Sequence, residues 1–164
     1  GAAVRALAAS RLPDGGWAAA AGPETTALGF RWEWLNRAES WWLFALLFFW
    51  QLPHFLAINW MYRDDYRRAG FVMWSNEDES GALTSLLALI FSLCLVPVAV
   101  APAVAGFAGW WVAVAGGVLT GWLLWLAVKF RRDRTRPSAR RLFFATLAYL
   151  PIALIVVLAG SRQG

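Results

Sequence analysis

Four apolar stretches, separated by two charged segments and one short turn, set out the chain. Residues 40–62 carry no formal charge, and a bilayer crossing needs about 20 predominantly apolar residues. Residues 81–104, 107–128 and 142–160 read as three further spans, with a short turn near Gly106 between the second and third. Pro53, Pro97, Pro102 and Pro151 fall inside these stretches. They are expected to kink or interrupt the helices, because proline lacks the amide proton of the helix ladder. Gly109, Gly116, Gly117 and Gly121 in the third stretch are positions where a neighbouring helix can approach closely. Residues 63–80 form a charged loop, and residues 129–141 a basic one, with seven Lys or Arg against Asp133 alone.

The first 39 residues are different. Residues 1–22 are rich in small side chains and are interrupted by Arg5, Arg11 and Asp14, while Pro13 and the Gly15-Gly16 pair break a helix. They amount to a partial span. Residues 23–39 form a connector in which Arg31, Glu33, Arg37 and Glu39 balance in sign. Trp32 and Trp34 there, with Trp41 and Trp42 just beyond, suit a membrane–water interface. The predicted organisation is therefore a partial span and connector over 1–39, a four-helix transmembrane part over 40–160, and a tail over 161–164. The fold class is all-α, a polytopic transmembrane helix bundle.

Composition agrees. The chain is 60% hydrophobic with mean hydropathy +0.51, above the roughly half expected of a soluble domain. The formal net charge is +5, but the basic residues cluster beside apolar runs, which points to membrane orientation. No basic run interleaved with aromatics lies in a soluble context, so nucleic acid is set aside as a partner. By the preference of positive residues for the cytoplasm, loops 63–80 and 129–141 share the cytoplasmic side. Cys94 is the single cysteine, so neither an intrachain disulfide nor a cysteine metal cage can form; it reads as a packing residue. The N-terminus has no start methionine and no signal-peptide pattern, and the chain is expected to be a fragment.

The chemistry concentrates between Trp50 and Glu79. If the first helix continues through Asp64 and Asp65, then Gln51, His54, Ile58, Tyr62 and Asp65 fall along one stripe at about 100° per residue. Asp64 points elsewhere. His54, the single histidine, would lie roughly 16 Å deeper than Asp65 at about 1.5 Å per residue. This describes an elongated site with an acidic, arginine-rich mouth and a semi-polar pocket within the bilayer. Paired carboxylates suit Mg²⁺ shared with phosphate oxygens, and adjacent arginines suit phosphate itself. An isoprenyl diphosphate would match both ends. Blander readings stand beside these. Asp64 with Arg67 or Arg68 is an ordinary surface pair, His54 can be a satisfied interhelical hydrogen-bonder, and loop 129–141 a topology signal alone.

The string from Trp50 to Met73, WQLPHFLAINWMYRDDYRRAGFVM, resembles the protoheme IX farnesyltransferases (haem O synthases) of the UbiA-type intramembrane prenyltransferases. It matches their Trp-Gln-x-Pro-His-Phe run at Trp50, Gln51, Pro53, His54 and Phe55. Their second aspartate motif is matched at Tyr62, Arg63, Asp65, Tyr66, Ala69 and Gly70. LPDGGWAAAAG near Leu12 and ARRLFFATLAYLPIAL near the C-terminus resemble further family segments. The resemblance implies the C-terminal part of a roughly nine-span fold, lacking the first aspartate motif, and inactive alone. It implies farnesyl transfer from farnesyl diphosphate to a vinyl group of haem B, giving haem O, in a bacterial inner membrane, with oligomeric state open. Asp65 is then the main Mg²⁺–diphosphate residue with Asp64 in support. Arg63 and Arg67 bind diphosphate, and His54, Gln51, Trp50, Tyr62 and Tyr66 line the substrate pocket. A UbiA-type enzyme acting on a quinone precursor and a non-catalytic membrane module are the alternatives.

Overall fold

The computed structural model describes residues 37–71 and 78–161. The chain divides into two units, Gly1–Trp41 and Trp42–Gly164. Of the first, residues 37–41 are described; they lead into and open the first helix. The predicted partial span and most of the predicted connector lie outside the described residues.

Four helices follow in order: α1 (Ala38–Arg68), α2 (Ala82–Val104), α3 (Trp110–Asp133) and α4 (Arg136–Gly160). All four are long and apolar enough to cross a membrane. Among the described residues the regular structure is all-α, and one isolated bridge pairs Ala108 with Ser161. Leu158, Val118, Ile155 and Phe55 are among the outward-facing side chains left exposed. Such faces are compatible with hydrocarbon, since helices satisfy their backbone internally and can present apolar side chains outward.

The helix ends fall deeper in the charged segments than charge alone suggests. The first helix, expected to stop at residue 62, runs to Arg68 and is closed by Gly70. There the Phe71 N–H donates to the Tyr66 carbonyl at 3.0 Å and the Gly70 N–H to the Arg67 carbonyl at 3.2 Å. Gly70, at φ 77°, supplies the left-handed residue this closure requires. The expected basic loop 129–141 shrinks to Arg134 and Thr135, because α3 runs on to Asp133 and α4 begins at Arg136. Thr135 caps α4: its hydroxyl accepts the Ser138 N–H, and the Ser138 hydroxyl accepts the Thr135 N–H, with Pro137 in the first turn.

Helices α2, α3 and α4 pack backbone to backbone through small residues. A Cβ on Gly116 would lie 3.1 Å from the Ala99 carbonyl oxygen, and one on Gly160 would collide with Val112. The Thr120 and Tyr149 hydroxyls share a buried hydrogen bond of 2.9 Å between α3 and α4. The first helix joins the others through long side chains instead. The Trp42 indole N–H donates to the Val98 carbonyl at 2.9 Å. That carbonyl lies four residues before Pro102, so proline leaves it without its helical donor. An unmet buried carbonyl costs about 1–3 kcal/mol, which the indole offsets. Trp60 is buried against Phe130 of α3, with ring centroids 6.4 Å apart.

Candidate functional site in the groove between α1 and α4

The first and fourth helices run antiparallel, and a cavity of about 540 Å³ opens between their charged ends. Met61, Tyr62 and Asp65 form its α1 wall; Arg136, Pro137, Arg140, Phe143 and Phe144 form the other. The size lies within the range of small-molecule sites, about 300–1,000 Å³. Charge sits at the outer end and aromatic rings deeper in, because α4 repeats its groove-facing residues at helical spacing from Arg136 through Arg140 to Phe143 and Phe144.

At the mouth, Asp64 and Asp65 meet three arginines, and a fourth stands on the α4 wall beside them. Arg136 reaches across from α4 to lie 3.6 Å from Asp65 and 3.8 Å from Asp64. Arg68 pairs with Asp65 along α1, and the Arg63 Nε lies 3.6 Å from Asp64. The fourth, Arg140, lies over the Phe144 ring at 5.6 Å. Both carboxylates remain about half exposed, at 50% and 46%. Arg63 also stacks on Trp60 at 4.1 Å and donates to the Glu79 carbonyl at 3.0 Å, fastening the end of α1 to the approach of α2.

Deeper in, His54 is held on three sides. Its ring stacks between Trp50 and Phe143, with centroids 5.2 and 5.0 Å away. Its Nδ1 lies 2.9 Å from the Thr146 hydroxyl. That hydroxyl donates its single proton to the Phe143 carbonyl at 2.6 Å, so towards His54 it can act as acceptor alone. Nδ1 is therefore the donor in this bond, which leaves Nε2 outside it. The Trp50 indole N–H donates to the Thr146 carbonyl at 2.6 Å. Phe143 belongs both to the groove wall and to the His54 stack, so mouth and histidine form one continuous feature.

The UbiA prenyltransferase family matches residues 1–150 of the chain. The chain belongs to this family. Its similar relatives include a protoheme IX farnesyltransferase of Opitutus terrae, 41% identical over 92% of this chain and 48% of the relative. A mitochondrial protoheme IX farnesyltransferase of Neurospora crassa is 38% identical over 97% of this chain and 32% of its own length. One of Solibacter usitatus is 37% identical over 91% of this chain and 47% of its own length. The chain thus spans half or less of the length of the relatives it matches. No solved structure matches it.

Membership of the UbiA family, with four spanning helices, makes the chain an integral membrane protein. Of the residues singled out in this family member's sequence, Tyr62 and Asp65 line the groove, and His54 and Trp50 sit at its deep end. Asp64 stands beside the mouth within reach of Arg136. Arg63 turns to Trp60 and Glu79, Arg67 is exposed, and Gln51 is half-buried. Tyr66 packs edge-on between Tyr62 and Phe71. Sequence reasoning missed the whole α4 wall. Its signal was present in the four-residue repeat of Arg136, Arg140 and Phe144 behind the Thr135 cap.

Asp78 lies just ahead of α2, whose N-cap is Gly81. The Asp78 carboxylate accepts the Thr84 N–H at 2.7 Å. Partial burial pushes its carboxyl up, but the N–H donors of Thr84, Leu83 and Ala82 outweigh this and hold it below the usual carboxylate range.

Proposed function

We propose that the chain is the C-terminal part of a protoheme IX farnesyltransferase, and that the α1–α4 groove holds farnesyl diphosphate with its charged head at the mouth. The observation that carries this reading is the graded lining of one cavity: acid pair and arginines outside, Tyr62, Phe143 and Phe144 inside. A prenyl diphosphate has the same gradient along its length. The identity to relatives named for this activity supports the choice of haem as acceptor over a quinone precursor.

Asp64 and Asp65 fit a divalent cation as part of a shared site. Among the described residues no three His, Cys, Asp or Glu side chains converge on one point. Mg²⁺ commonly takes one or two carboxylates and completes its shell with phosphate oxygens and water. When bound, the cation would neutralise charge on the departing diphosphate. Asp65 and Asp64 hold that end at the interface, and Arg63 and Arg67 add positive charge there. Tyr62, Tyr66 and the Phe143–Phe144 wall exclude water from the allylic carbon while its bond to diphosphate breaks. The farnesyl carbon then bonds to a vinyl carbon of haem B, and water adds hydroxyl to the other while its remaining proton leaves to solvent with the diphosphate, giving the hydroxyethylfarnesyl group of haem O. His54, Gln51 and Trp50 line the acceptor's place, with His54 presenting Nε2. We place the charged segment 63–80 and the α3–α4 turn on the cytoplasmic side of a bacterial inner membrane, by their positive charge.

The test is a full-length enzyme supplied with haem B, farnesyl diphosphate and Mg²⁺. Haem O should form, and Asp65→Asn at equal protein level should lower product by about a hundredfold or more, the scale of losing transition-state charge stabilisation. Product at the wild-type level in that variant contradicts the role given to Asp65.

A further inference from the structure

Arg136 and Arg140 stand one turn apart on the α4 wall of the groove. Arg136 spans both carboxylates at 3.6 and 3.8 Å while its own side chain stays 54% exposed. Contacts of this length and exposure are worth little and yield to a better ligand. Among the described residues Arg140 forms no ion pair, and its guanidinium rests over the Phe144 ring. Arg68 already pairs with Asp65, and Arg63 with Asp64. The mouth thus holds more positive charge than its two carboxylates neutralise. A polyanion bridged by a divalent cation completes such a set, with carboxylates on the metal and guanidinium groups on the free phosphate oxygens.

From this we infer that Arg136 and Arg140 are the α4 half of the diphosphate site, and that Arg136 is an exchangeable latch on the acid pair. Without ligand, Arg136 lies on Asp64 and Asp65. With ligand, it turns to phosphate oxygens and frees the carboxylates for the cation. The inference rests on the groove being the diphosphate site. It gives Arg136 opposite effects on two binding events, which a merely structural residue would not have. Arg136 competes with a cation that comes alone and assists one that comes with diphosphate.

The experiment uses the full-length protein in lipid nanodiscs, with Mn²⁺ alone followed by electron paramagnetic resonance and inorganic diphosphate with Mg²⁺ followed by calorimetry. Arg136→Gln should bind Mn²⁺ alone about three- to tenfold more tightly, as removal of one weak exposed competitor implies. The same variant should bind inorganic diphosphate about tenfold more weakly, as loss of a charge-assisted contact implies. Arg136→Lys, which keeps charge without the planar fork, should fall between wild type and Arg136→Gln for diphosphate. Arg140→Gln should weaken diphosphate and leave Mn²⁺ unchanged. Arg141→Gln, exposed on α4 and outside the groove wall, should match wild type in both. If Arg136→Gln and Arg140→Gln bind diphosphate like wild type while Asp65→Asn does not, the latch is overturned and the groove reading stands. If wild type binds no diphosphate with Mg²⁺, the groove reading fails and the latch with it.

Discussion

Gly81 and Gly70 both adopt left-handed backbone, at φ 67° and 77°, but they differ in what surrounds them. A Cβ on Gly70 meets nothing within 4 Å, whereas one on Gly81 would drive into the buried Trp60 ring. Alanine at either position incurs the left-handed cost of about 1–2 kcal/mol. At Gly81 it also incurs overpacking of a core ring, typically about 1–3 kcal/mol. Gly81→Ala should therefore destabilise the protein by about 2–5 kcal/mol, and Gly70→Ala by about 1–2. The difference isolates the packing of Trp60, which also carries Arg63 on its face. Denaturant unfolding of the detergent-solubilised protein measures both variants. Adding Trp60→Leu should recover part of the loss in Gly81→Ala and none of the loss in Gly70→Ala. Equal destabilisation by the two single variants would refute the placement of Trp60 against Gly81, and with it the account of how α1 is fastened beside the site.

Two further expectations concern single hydrogen bonds. Thr146→Val removes the acceptor that holds the proton on His54 Nδ1; the ¹⁵N shifts of His54 should then lose their Nδ1–H signature, while Thr146→Ser should keep it. Asp78 has a folded pKa below its ordinary value of 3.8, so its contribution is fully present above that value and is lost as pH falls through the lower folded value. The thermal midpoint should drop on acidification below about pH 4, and Asp78→Asn should start lower at neutral pH and show a shallower drop.

The spans were legible because each is a long apolar run with charge at its borders. Their ends were not, because charge marks where a helix leaves the hydrocarbon, and a helix continues beyond that until a stop signal closes it. Gly70 and the Thr135–Ser138 box carry those signals, and they lie among residues whose charge drew the loop assignment. The stripe from His54 through Tyr62 to Asp65 was legible from the helical period, and in the structure these residues follow the α1 side of the groove. The opposing wall was not, since nothing in the sequence brings Arg136 to Asp65 except the antiparallel packing of α4 on α1. The depths agree: Asp65 to His54 and Arg136 to Thr146 each cover roughly 15–16 Å at helical rise. The donor that Trp42 supplies to Val98 depends in the same way on tertiary structure, although Pro102 announces the need for one.

The most direct measurement is where a photoreactive farnesyl diphosphate analogue attaches to the membrane-embedded full-length protein, read by peptide mass spectrometry. With Mg²⁺ present, and competed away by farnesyl diphosphate, attachment should fall within residues 54–65 of α1 and 136–146 of α4. Competable attachment confined to α2 or α3 would contradict the assignment of the α1–α4 groove as the prenyl diphosphate site.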